Sequence, residues 1–120
     1  MLYRVTRQIE DKLDMLEGHL RAALLADDTR TISAEAAAAQ ALTVEMLDRL
    51  KAALSQVDEG DADHRFLQAA VSCLTHAWNN AEKVGLGSST SEMRARLIDF
   101  KTPADYAAAY LRMATGYERA

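Results

Sequence analysis

The stretch TPADYAAAYLRMATG, residues 102–116, decides how many helices the chain has. Thr102 offers a hydroxyl to a free amide, Pro103 has the φ angle of a first helical residue, and Asp105 brings negative charge to the positive end of the helix dipole. Gly116 stops the pattern. Read this way, the stretch is a helix of its own that runs to about residue 115. At 100° per residue, Tyr106, Ala109, Tyr110 and Met113 share one arc of about 100°, and Ala107, Leu111 and Ala114 continue it through about another 100°. Only Asp105, Arg112 and Thr115 break the remainder. An apolar surface of about 200° is wider than one packed face of a small bundle needs. Either the helix is wedged between two neighbours, or its tyrosine face meets another chain. Tyrosine suits the second role, because it buries a large ring while its hydroxyl stays wet or finds a partner. Tyr3 and Tyr117 are candidates to extend that patch.

Upstream, Ser89 and Glu92 are spaced as a capping box, which predicts a short helix over 90–100 with Met93, Leu97 and Ile98 inward. The connection GLGSST, 85–90, precedes it. A third helix is expected over 64–84, capped by Asp63 and closed by Gly85, with Phe66, Leu67, Ala70, Val71, Leu74, Ala77, Trp78 and Ala81 on its inner arc. Ser33 predicts the start of a second helix near 34, ending near 57, whose opening AEAAAAQA is both strongly helix-forming and small enough to admit a close neighbour. The first helix, 2–26, is the clearest: Leu2, Val5, Ile9, Leu13, Leu16, Leu20 and Leu24 form one stripe opposite Arg4, Arg7, Asp11, Asp14 and Arg21. The expected fold is all-α: an antiparallel helical bundle of three long helices with two short C-terminal helices taking the fourth position, as a single domain over 1–120.

Composition narrows the function. With 49% hydrophobic and 27% charged residues, the chain is expected to be a globule, neither disordered nor membrane-embedded. A net charge of -4 and a pI near 5.3 argue against nucleic acid as a partner, since phosphate binding needs a positive field. Cys73 is the one cysteine, so no internal disulfide forms. The start MLYRVTRQIEDKLD has no signal-peptide core, and no apolar run nears the ~20 residues of a membrane span, so a cytoplasmic location is expected.

No metal or cofactor motif emerges. His19, His64 and His76 share no helical spacing, and the Glu-x-x-His pattern of carboxylate bundles is absent. The acidic turn DEGDAD lacks the ligand pattern of a calcium loop. Arg94, Arg96 and Lys101 are interspersed with Glu92 and Asp99, which makes a mixed solvated face. His19 falls on the outer face of the first helix, and Cys73 at the edge of the buried arc of the third.

One strip of the third helix stands apart: Ser72, His76, Asn79, Asn80 and Lys83 lie outside its apolar arc and are nearly uncharged. Interface cores are depleted in charge, so the strip is a candidate docking surface. The segment HAWNNAEKVGLG, 76–87, also resembles histidine phosphotransfer domains, which are small four-helix bundles with an exposed mid-helix histidine. That resemblance implies His76 as the phosphoacceptor, but those domains place lysine and glycine where Asn79 and Asn80 stand in this chain. The sequence thus predicts a protein-interaction module without catalysis or cofactor, probing a protein partner or a second copy of itself as a homodimer through Tyr106, Tyr110, Met113 and the His76 strip. The alternatives are phosphotransfer on His76, or a small apolar ligand carried between the third and fifth helices near Trp78 and Tyr106.

Overall fold

The computed structural model describes the backbone of residues 2–119 and the side chains of residues 8–114. It contains four α-helices and, among the described residues, no strand: α1 Leu2–Leu25, α2 Thr29–Leu54, α3 Ala62–Val84 and α4 Thr90–Arg119. The side chains of Leu2, Tyr3, Val5 and Tyr117 lie outside the described set.

The main correction concerns the C-terminal third. The two short helices expected there are one 30-residue helix, α4, with Pro103 in its interior. Proline is compatible with a first helical position, but nothing confines it there when packing carries the helix onward and another group serves the carbonyl it orphans. The buried residues give the physical reason: Met93, Leu97, Phe100, Ala104, Ala107, Ala108, Leu111 and Ala114 all face the core. At 100° per residue they fall in a single arc of about 120°, so the apolar phase passes through Pro103 unbroken. Ile98, expected inward, is 52% exposed because this continuous phase turns it out and brings Phe100 in. Gly116 lies within α4 rather than ending it.

Two other boundaries move for local reasons. Asp28, not Ser33, caps α2: its backbone is extended, and its carboxylate accepts from the Thr31 amide at 2.7 Å and the Thr31 hydroxyl at 2.8 Å. The weak helix formers of TRTIS are then held in the helix by Ile32, which is fully buried. At α3 the cap is Asp61, which accepts from the Asp63 amide at 3.0 Å, and Asp63 takes a place in the first turn. Gly85 does follow α3, but with right-handed φ of -67°, so it is not a left-handed terminator.

The register of the bundle is legible in its cross-helix bonds. Arg49 donates to Gln8 at 2.8 Å, Lys12 pairs with Glu45 at 2.5 Å, and His19 Nδ1 lies 2.6 Å from Glu35. As one number rises the other falls, so α1 and α2 are antiparallel. His19 is therefore half-buried and partnered, not a free surface histidine as the sequence suggested. Asn80 with Asp99 and Lys83 with Arg96 show the same opposition between α3 and α4. Arg94 with Ala26 and Arg112 with Glu17 show it for α1 and α4. The helices thus run up, down, up, down around one apolar cluster.

Across the diagonals the bundle is unequal. α2 and α4 approach to Cα separations of 8 Å or less, whereas α1 and α3 do not among the described residues. Both close-approaching helices bury alanines, Ala36 and Ala39 on one and Ala104, Ala107 and Ala108 on the other. Small side chains permit such an approach. The one fully buried polar side chain among the described residues, Thr43, is satisfied by donating to the Ala39 carbonyl at 2.9 Å. The molecule is 46 Å long, close to the ~45 Å that a 30-residue helix spans, so α4 sets its length.

Candidate functional site

Between α3 and α4 lies an open groove of about 740 Å³, lined by Ser72, Cys73, His76 and Asn80 from α3 and by Asp99, Thr102, Pro103 and Tyr106 from α4. The small side chains of Ser72, Cys73, Thr102 and Pro103 among its lining leave it unfilled. Pro103 is buried and Cys73 half-buried, so they lie deepest, while the His76 and Tyr106 rings are exposed at the rim.

The groove brings together parts of two surfaces that the sequence could not relate. Of the α3 strip, Ser72, His76 and Asn80 line it; Asn79 and Lys83 are exposed outside it. Of the tyrosine face, Tyr106 lines it and is 60% exposed, whereas Tyr110 is half-buried against the core and Met113, 51% exposed, lies farther along α4. The wide apolar arc of α4 is thereby divided. Its Ala107, Leu111 and Ala114 side is core, and its Tyr106, Ala109 and Met113 side faces outward. Ile98 and Thr102 extend the outward stripe toward the N-terminus, a continuation hidden from sequence reasoning by the assumed break at Pro103.

Asn80 has an internal task that residue type alone did not reveal. Its Nδ2 donates to the backbone carbonyl of Asp99 at 3.2 Å. That carbonyl is the one Pro103, lacking an N–H, cannot serve. Lys83 contributes through its backbone as well, its carbonyl accepting from Arg96 Nη1 at 2.9 Å. Arg96 is in turn paired with Glu92 at 2.8 Å. The predicted capping box is present in altered form: Ser89 accepts from the Glu92 amide at 3.1 Å, but Glu92 reaches back to Ser88, accepting from its hydroxyl at 2.7 Å.

Chemically, the groove offers hydroxyl, imidazole and amide groups around one carboxylate. Ser72, His76 and Asp99 share it without hydrogen bonds among them. Burial pushes the Cys73 thiol above its ordinary pKa, which leaves it a poor thiolate at neutral pH. Trp78, half-buried against the core, does not line the groove, so the carrier expected near Trp78 and Tyr106 finds only one of its two walls. Among the described residues, no group of three or more His, Cys, Asp or Glu side chains is placed to hold a metal ion, and no helix is long and apolar enough to cross a membrane. No protein-family model, curated protein or solved structure matches the chain significantly.

Proposed function

We propose that this chain is a non-catalytic protein-interaction module that pairs with a second copy of itself through the α3–α4 face. One observation carries the reading: Ile98, Tyr106 and Met113, each more than half exposed, stand on one stripe of α4 with Thr102 and Ala109 between them. The other large exposed hydrophobics, Met15, Leu25, Val44 and Leu86, are scattered over other elements. Beside the stripe, the Ser72, His76 and Asn79 strip adds polar but uncharged surface. Aromatic and methionine side chains with few lysines and glutamates are the composition of interface cores. A two-fold pairing of like stripes is the simplest closed arrangement for such a face.

Light scattering behind size-exclusion chromatography tests this directly. The expected mass is that of a dimer, and Tyr106→Lys and Met113→Lys are expected to shift it to monomer with unchanged helical circular dichroism. A wild-type monomer at high concentration would end the reading, as would variants that dimerise equally well.

A second reading rests on His76, which is exposed on α3 of a four-helix bundle and free of hydrogen-bond partners among the described residues. Phosphotransfer predicts acid-labile label from a phosphorylated receiver domain, lost in His76→Gln. Absence of label excludes it without touching the first reading.

A further inference from the structure

We infer that α4 contains a hinge at Pro103 which the side chain of Asn80 holds shut, so that residues 104–114 can be released from the bundle as a unit. The inference rests on the fold alone and stands whether or not the chain self-associates.

Pro103 removes the amide that would serve the Asp99 carbonyl and sets its ring against that same carbonyl. A helix interrupted in this way bends or breaks unless another donor takes over. Asn80 Nδ2 is that donor, at 3.2 Å, and it comes from α3, 19 residues earlier in the chain. The bond therefore does two things at once: it completes the backbone of α4 and it ties α4 to α3 across the groove. One other side-chain bond bridges the proline from within the helix, the exposed ion pair of Lys101 with Asp105 at 2.6 Å. Exposed pairs of this kind hold weakly.

The two halves of α4 are anchored unequally. Before the proline, the core face is Met93, Leu97 and Phe100; after it, among the described residues, Ala104, Ala107, Ala108 and Ala114 surround Leu111, with the half-buried Tyr110 ring packed at the edge. Stabilisation by burial follows apolar area, so the alanine half is held by less. Its outer side is tied to α1 by Arg112 and Glu17 at 3.1 Å, both partly exposed. Segments with little buried apolar area open below the free energy of global unfolding. Tyr106 and Met113 both lie beyond the hinge, so opening would move them away from His76.

The test is residue-resolved amide hydrogen exchange on wild type, Asn80→Ala, Pro103→Ala and the double variant. Asn80→Ala is expected to speed exchange of amides 104–114 about tenfold, with 90–98 and the other three helices little changed. Asn80→Asp, of the same size but without the donor, should match or exceed it. In the Pro103→Ala background, residue 103 regains an amide for the Asp99 carbonyl, and removing Asn80 should accelerate nothing. Acceleration that is absent, spread evenly over the bundle, or equal with and without the proline overturns the inference. If Asn80→Ala fails to fold, the double variant must fold; a double variant that stays unfolded overturns it too.

Discussion

Arg94 Nη2 donates to the carbonyl oxygen of Ala26 at 2.5 Å, so the start of α4 closes the end of α1. The last turn of α1 has no basic residue of its own, and a cation is stabilising at that negative end of the helix dipole. The guanidinium also lies 3.7 Å from Asp27, in the three-residue connection to α2. Arg94→Met is expected to keep the packing of the aliphatic stem and lower stability by about 1 kcal/mol, read from urea unfolding. Arg94→Lys should recover part of that loss. A neutral result for Arg94→Met would assign the cap to solvent instead.

Acid should destabilise the fold through three carboxylates whose pKa values are lowered. Asp28 is held down by the Thr31 amide and hydroxyl, Glu45 by its hydrogen bond from Lys12, and Glu92 by the Ser88 hydroxyl and amide with Arg96 adding to it. Each gives up its proton more readily folded than unfolded. The stability they contribute is complete above the ordinary values of 3.8 for Asp and 4.5 for Glu, and is lost as the pH falls through the lowered folded values. The urea midpoint is therefore expected to fall from neutral pH to about 3, and to fall less steeply in Ser88→Ala.

Asp63 titrates with the opposite sign. Burial, and then the charge of Asp61, push its pKa up. The folded state binds this proton more tightly, so the cost of ionised Asp63 is present at neutral pH and fades as the pH drops through its raised value toward 3.8. Asp61→Asn keeps an acceptor for the Asp63 amide while removing the charge. An NMR titration should show the Asp63 pKa moving down in that variant, with the cap of α3 retained.

Of three glycines, two should gain and one should lose from an added methyl group. Nothing lies within 4 Å of the Cβ position of Gly18, midway along α1, so Gly18→Ala is expected to add about 0.5–1 kcal/mol. Gly85 has right-handed backbone and its nearest neighbour there is the Ser33 hydroxyl at 3.9 Å, so Gly85→Ala should stabilise by about 0.4–1 kcal/mol. At Gly87 a Cβ would stand 2.6 Å from Met93 Cγ and 3.0 Å from its backbone nitrogen. Gly87→Ala is expected to cost about 1–3 kcal/mol, because part of the obstacle is backbone. Thermal melts of the three variants rank them.

The two tyrosines of α4 should separate folding from surface chemistry. Tyr110 packs against the core and Tyr106 is 60% exposed. Tyr110→Lys is expected to lower the melting temperature by burying an unpaired ammonium, while Tyr106→Lys leaves it near wild type. Equal losses would place both rings in the core.

Most of the helical architecture was legible from periodicity. The Ile9, Leu13, Leu16 and Leu20 stripe of α1 and the Leu67, Ala70, Leu74 and Ala77 stripe of α3 are core positions at the expected phase. What escaped was information held by contact. Pro103 carries a local signal for a helix start, and the donor that overrides it stands on another helix, at Asn80. The phase from Met93 through Leu97, Phe100 and Ala104 to Leu111 was nonetheless written in the sequence, and extending the angular count through the proline would have joined the halves. Ser33 and Asp63 failed as caps because Asp28 and Asp61 stood just ahead of them with the same chemistry. The groove was not legible at all, since it arises from the α3–α4 register.

The unequal diagonals give the bundle a lozenge-shaped cross-section. The buried alanines of α2 and α4 leave room for its short axis. A leucine introduced at Ala39 or Ala107 would act as a spreader: forcing α2 from α4 drives α1 and α3 together, as pushing two corners of a hinged frame draws in the others. The furrow beside His76 lies along one side of that frame, and a hinged frame keeps its side lengths, so the spreader would change the angle at which α3 and α4 meet their neighbours and leave the furrow's width as it is.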